Sequence, residues 1–138
     1  MGINMKGVIV GGLVAGLVLN VFDYVFWGIV YAKDFAAALQ AIGRPPADSL
    51  IPMWVLLDFF YGIALVYTYA AIRPRFGAGA GTAVRAGLIV WVFIGLFHAI
   101  GEGPLGFLPM RLYVLGAIVA LVQIPLATVA GAKFYREP

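Results

Sequence analysis

Three ionisable side chains stand inside long apolar runs of this sequence: Asp23, Asp58 and His98. A charged group at the centre of a membrane-spanning helix costs about 2.5 to 3.5 kcal/mol on insertion scales, so each of these residues calls for a physical reason. Two carboxyl groups in one cavity can share a proton or coordinate a cation, and an imidazole nearby can join either task. The structural reading is that the acids bond Asn20, Tyr24, Tyr61 or Gln123 and hold helices together. His98 is the chain's one histidine. It belongs to the stretch FHAIGEGPLGFLPMR, residues 97–111, where Glu102 and Arg111 are placed to form an ion pair across a tight connection.

Other chemistry has little material. With no cysteine the chain has no disulfide, thiolate metal site or thiol nucleophile. Ser49, its single serine, has no histidine near it in sequence. Asp23, Asp58, His98 and Glu102 are oxygen and imidazole donors that a divalent ion accepts, but no H-E-x-x-H or other close metal motif occurs, so the identity of any metal is left open. One histidine excludes a bis-histidine haem within one chain. No cofactor is expected. The glycine-rich RFGAGAGTAVR lacks the Gly-Lys-Ser/Thr ending of a phosphate loop and reads as a turn.

The elements that must position these residues follow from composition. The chain has 138 residues, 64% of them hydrophobic and 11% charged, far from the balance of a water-soluble domain. Four apolar runs, at about 8–31, 50–72, 82–100 and 112–134, are each long enough to cross a hydrocarbon core of about 30 Å. They lack the alternation of strands, and a lipid environment demands internally satisfied backbone. The expectation is an all-α integral membrane protein, one domain over 1–138, with four transmembrane helices in a compact antiparallel bundle. Pro45 and Pro46 mark the first connection, Pro52 the start of the second helix, Pro74 its end, and Pro104 and Pro109 the last connection. A short interfacial helix is expected around Phe35 to Ile42. Pro125 should kink the fourth span by leaving the Leu121 carbonyl without its usual partner.

Basic residues give a topology. Six of them (Lys6, Arg73, Arg75, Arg85, Lys133 and Arg136) flank one side and three (Lys33, Arg44 and Arg111) the other, which places both termini in the cytoplasm of an inner-membrane protein. Although the net charge is +3, the positive residues are spread over every loop, which argues against nucleic acid as a partner. The lipid bilayer is the expected surroundings, with a homodimer or partner membrane subunits as further company.

In this topology Asp23 lies about 6 Å outward of its span's middle, Asp58 about 4 to 5 Å outward and His98 about 9 Å outward, so all three share one half of the membrane. Helical spacing also groups them. Gly12, Gly16, Asn20, Asp23 and Trp27 form one stripe; Trp54, Asp58, Tyr61 and Leu65 a second; Gly87, Trp91, Gly95, His98 and Glu102 a third; Gly116, Ala120, Gln123, Ala127 and Gly131 a fourth. The small residues read as packing seams, while the aromatics near span ends (Trp27, Tyr31, Trp54, Tyr113, Phe134 and Tyr135) read as an interfacial belt.

In length and span count the chain is similar to the small multidrug-resistance transporters and the dual-topology fluoride channels. It departs from the former, whose first span carries a glutamate, by having Asp23 near the far end of that span. The fluoride channels' glycine–arginine and phenylalanine pattern is not found. From the residues, the leading expectation is an outward-facing pocket of Asp23, Asp58 and His98, supported by Asn20, Tyr61, Glu102, Arg111 and Gln123, that binds or transports a small cation, proton or polar solute. The alternative is a non-catalytic accessory or scaffold subunit whose glycine stripes dock partner helices. An enzyme acting on lipid is the third reading.

Overall fold

The computed structural model describes residues 2–137. Helix α1 (Met5–Val25) continues through a π-helical turn, Phe26–Val30, into the short α2 (Ala32–Ala41). A 3₁₀ turn at Ala47–Leu50 opens α3 (Ile51–Phe76). Helix α4 (Ala80–Trp91) passes through a second π-helical stretch, Val92–Phe97, into α5 (His98–Glu102), and α6 (Met110–Ala132) ends the bundle. The structure is 85% helical, without strands among the described residues. Four stretches are long and apolar enough to cross a membrane: Met5–Val30, Ala47–Phe76, Ala80–Leu105 and Met110–Ala132. The chain is an all-α membrane protein.

Local chemistry accounts for the boundaries. The Asn4 side chain caps α1 by accepting from the Gly7 N–H at 3.1 Å. Pro52 sits in the first turn of α3, where a missing N–H removes no helical bond. Pro74 does not end that helix. The chain turns helically past it to Phe76 and stops at Gly77, whose φ of +82° is readily available only to glycine. The third span likewise runs beyond residue 100, because its π-helical stretch leads into α5 and a 3₁₀ turn at Gly103–Leu105. The interfacial helix expected near 35–42 is α2.

Helix α1 packs on α3 and α6, α4 packs on α6 and α3, and α1 and α4 lie across the diagonal. Glycine makes the close crossings. A Cβ on Gly12 would lie 2.6 Å from Ile63 Cα, one on Gly16 2.7 Å from Phe59 Cα, and one on Gly62 would meet the Gly12 carbonyl and the Gly16 nitrogen. Gly11 and Gly131 make the matching approach between α1 and α6, and Gly87 makes it against Pro125 between α4 and α6. Without a hydrophobic force between helices in lipid, such backbone contact is what dispersion packing requires. The fully buried core of Val8, Ala15, Leu65, Val66, Ala83, Ala86 and Ala127 fills the end of the bundle that holds both termini. Apolar side chains such as Leu17, Leu56, Phe60, Phe93, Ile118 and Leu126 point outward, as a protein solvated by lipid tails presents them.

Candidate solute cavity

The other end of the bundle is hollow. A cavity of about 680 Å³ opens among α1, α2, α3, α6 and the π-helical stretch after α4, and Asn20, Asp23, Asp58 and His98 all contribute to its wall. Its depth is set by the same register that closes the opposite end. On α1 the close contact at Gly12 and Gly16 gives way within two turns to Asn20 and Asp23, and about one turn further, in the π-helical stretch, to Trp27. On α3 the contact at Gly62 gives way to Asp58 and Trp54. Larger side chains above the glycines hold the helices apart.

At the floor, Gln123 Nε2 donates to Asp23 Oδ1 at 2.8 Å and to the Leu19 carbonyl at 3.2 Å, tying α6 to α1. Asp58 is buried, with 8% of its surface exposed, and borders the same cavity as Asp23. Among the described residues no N–H group donates to Asp58. Asn20 Nδ2 donates to the carbonyls of Gly16 and Val55, at 3.0 and 3.2 Å, and bridges α1 to α3 beside the pair.

One helical turn above the acids, Trp27 and Trp54 face each other across Phe35 of α2, with ring centroids 5.9 Å apart for Trp27 and Phe35 and 6.1 Å for Phe35 and Trp54. Trp27 reaches across to α6, where a Cβ on Gly116 would come within 3.1 Å of its ring. The wall from α4 is fixed by Trp91, whose Nε1 donates to the Ala117 carbonyl at 2.9 Å. Gly95 is packed so tightly on that indole that a Cβ would lie 2.6 Å from it. The π-helical stretches Phe26–Val30 and Val92–Phe97 both border the cavity; such irregular turns concentrate at functional sites because they re-aim side chains. Charged residues of the lining are Asp23, Asp48 and Asp58, with no lysine or arginine.

Several expected partnerships are arranged differently. His98 does not reach down to the aspartates: its Nδ1 lies 3.4 Å from Glu102 Oε1, one turn along the helix, and its ring leans on Tyr113 at 5.8 Å, so it stands at the mouth. Glu102 and Arg111 do not pair with each other. Glu102 turns to His98, and Arg111 Nη2 lies 4.0 Å from Asp34 Oδ2 on α2. Tyr61 and Glu102 border a separate, shallower depression on the far side of His98. Gln123 stands behind Asp23 and does not line the cavity. Trp27, Trp54 and Tyr113, expected in an interfacial belt, line the cavity instead, together with Phe35. The available signal is that Trp27 and Trp54 share helical stripes with Asp23 and Asp58. Among the described residues no group of three or more histidine, cysteine, aspartate or glutamate side chains is placed to hold a metal ion.

No family model matches the chain, and no solved structure matches it. Among curated proteins it is similar to aquaporin Z of Brucella melitensis biotype 1, with 28% identity over 149 aligned positions covering 91% of this chain and 64% of that protein. The chain therefore spans less than two thirds of that relative's length.

Proposed function

We propose that this chain is a membrane transport protein whose cavity brings a small cation, proton or polar solute to the Asp23 and Asp58 pair. The observation that carries this reading is the pair itself: two carboxyl groups on the floor of a large cavity whose lining, among the described residues, has no lysine or arginine. Fixed negative charge in a concave, low-dielectric wall raises the local concentration of cations and disfavours anions. The similarity to a protein named aquaporin Z is in keeping with passage of a polar species. Both termini cytoplasmic, an inner-membrane location and an outward-facing cavity belong with this reading through the distribution of Lys and Arg. So does a homodimer, since the glycine crossings close the terminal end of a single copy.

The scaffold reading has less support. It needs glycine stripes free to dock partner helices, whereas Gly11, Gly12, Gly16, Gly62, Gly87 and Gly131 are occupied by contacts within this chain.

The test is flux through proteoliposomes loaded with a pH-sensitive dye or assayed with a cation-sensitive one. Asp23→Asn and Asp58→Asn, purified as folded protein, should lose flux that the unsubstituted protein supports. Equal flux in the variants, or none in the unsubstituted protein for protons, alkali cations or water, would overturn the reading.

A further inference from the structure

The shape of the cavity says more about its occupant than the acids do. A volume of about 680 Å³ is far larger than a bare or hydrated metal ion needs and lies in the range of pockets that enclose drug-sized molecules. The wall above the carboxyl pair is aromatic: Trp27, Phe35 and Trp54 form a continuous series of rings. Water or an inorganic cation gains little from such a surface, because it must give up hydration that indole and phenyl faces do not replace. A positive charge spread over an organic body loses little hydration there and is attracted by the ring faces. Below the rings, Asp58 is more than nine-tenths buried, borders the cavity and receives no N–H donor among the described residues. A carboxyl group in that position lacks a cationic partner that a ligand can bring.

We infer that the cavity takes an amphipathic organic cation, of the protonated-amine, quaternary-ammonium or phosphonium class, with its charge over Asp58 and Asp23 and its apolar body between Trp27, Phe35 and Trp54. This deepens the proposed function by naming the class of solute. Specificity on this basis is for one charge and an aromatic or branched apolar body. The rings do not discriminate finely between bodies of similar size, and the acids reject an anion of the same shape.

The experiment uses the full chain in detergent with tetraphenylphosphonium as probe, read by quenching of the tryptophans and by calorimetry. Saturable binding is expected. Triphenylphosphine oxide, a neutral molecule of similar build, should bind at least about tenfold more weakly, the factor that one charge-assisted contact supports. Asp58→Asn should weaken the phosphonium about tenfold on the same ground, and Trp54→Leu about two- to fivefold through the lost ring face. The comparison of charged and neutral probes on the unsubstituted protein needs no variant, so it holds even where Asp58→Asn fails to fold. Equal binding of both probes, or no saturable binding of the cation, overturns the inference. Flux of protons or alkali cations that depends on Asp58, in protein that does not bind the phosphonium, removes the organic cation and leaves the transport reading standing. Phosphonium binding without any flux removes transport and leaves the site.

Discussion

Gln123 Nε2 lies 2.8 Å from Asp23 Oδ1 and 3.2 Å from the Leu19 carbonyl, so a single amide on α6 satisfies two acceptors on α1. Gln123 is itself buried, with 6% of its surface exposed. Its loss would leave the part-buried Asp23 carboxyl group and the Leu19 carbonyl short of a donor. Gln123→Leu is therefore expected to lower stability by about 1 to 3 kcal/mol, the usual penalty for an orphaned buried group. Gln123→Glu keeps the shape but adds a third acid beside Asp23 and Asp58, and should be as harmful or worse. Thermal unfolding in detergent measures both; a melting point unchanged in Gln123→Leu would show that the amide is dispensable.

The glycine crossings lead to a second expectation, one of contrast. Gly62→Ala would drive a methyl group into the Gly12 carbonyl and the Gly16 nitrogen, both backbone atoms that cannot step aside without separating α1 from α3. Overpacking of this kind costs about 1 to 3 kcal/mol, and occasionally more. Gly81, on α4, has open space where its Cβ would stand, so Gly81→Ala should change stability by no more than about 0.5 kcal/mol. Denaturation by a harsh detergent, followed by circular dichroism, compares the two; equal resistance would contradict the assignment of Gly62 to the tightest contact.

The four spans are legible in the sequence because they rest on local quantities: length, hydropathy and proline positions do not depend on how helices rotate about one another. The clustering of Asp23, Asp58 and Asn20 is legible for a related reason, since helical spacing and depth place them at one level of one face. Helix rotation and local backbone irregularity carry the rest. The π-helical stretch at Val92–Phe97 alters the register between Trp91 and His98, so a stripe drawn at ideal spacing through Gly95 points His98 inward when it stands at the mouth beside Glu102. Pairing Glu102 with Arg111 rests on their shared connection, whereas Arg111 meets Asp34 on α2. Tryptophan at a span end has the same composition signal whether it faces headgroups or a cavity, and Phe35 between Trp27 and Trp54 decides the matter only in three dimensions.

At the terminal end, Tyr135 is a compact example of one side chain with three duties. Its hydroxyl accepts the Asn4 N–H at 3.3 Å, its ring meets Tyr69 edge-on at 6.0 Å, and the Arg73 guanidinium lies 5.6 Å from the ring centroid. Arg73 Nη1 is buried without a hydrogen bond, and its carboxylate neighbour Glu137 is 3.7 Å away and partly exposed, so the ring face is a large part of what stabilises that cation. Tyr135→Leu should destabilise by about 1 to 3 kcal/mol, combining the lost ring contacts with the lost acceptor. Glu137→Gln, which touches only a half-exposed ion pair, should cost less than about 1 kcal/mol. The order of the two melting points checks this, and a reversal would assign the stabilisation of Arg73 to the carboxylate.

The absence of cysteine makes accessibility a direct probe of the cavity and of its orientation. Ala120 lines the cavity on α6, while Ala127, two turns further along the same helix, is fully buried in the packed end. In Ala120→Cys a water-soluble thiol reagent should reach the new sulfur, and in Ala127→Cys it should not. The acids of the wall add a charge rule: a cationic methanethiosulfonate should react faster than an anionic one of similar size, because Asp23, Asp48 and Asp58 attract the first and repel the second. Applied to intact cells, the cationic reagent should label Ala120→Cys from outside on the proposed orientation, in which both termini are cytoplasmic and the cavity opens at the opposite end. Labelling only in inverted vesicles would reverse the orientation while keeping the cavity. Equal rates at the two positions would mean that water enters both halves of the bundle, and faster reaction of the anionic reagent would mean that the carboxyl pair does not set the field of the cavity.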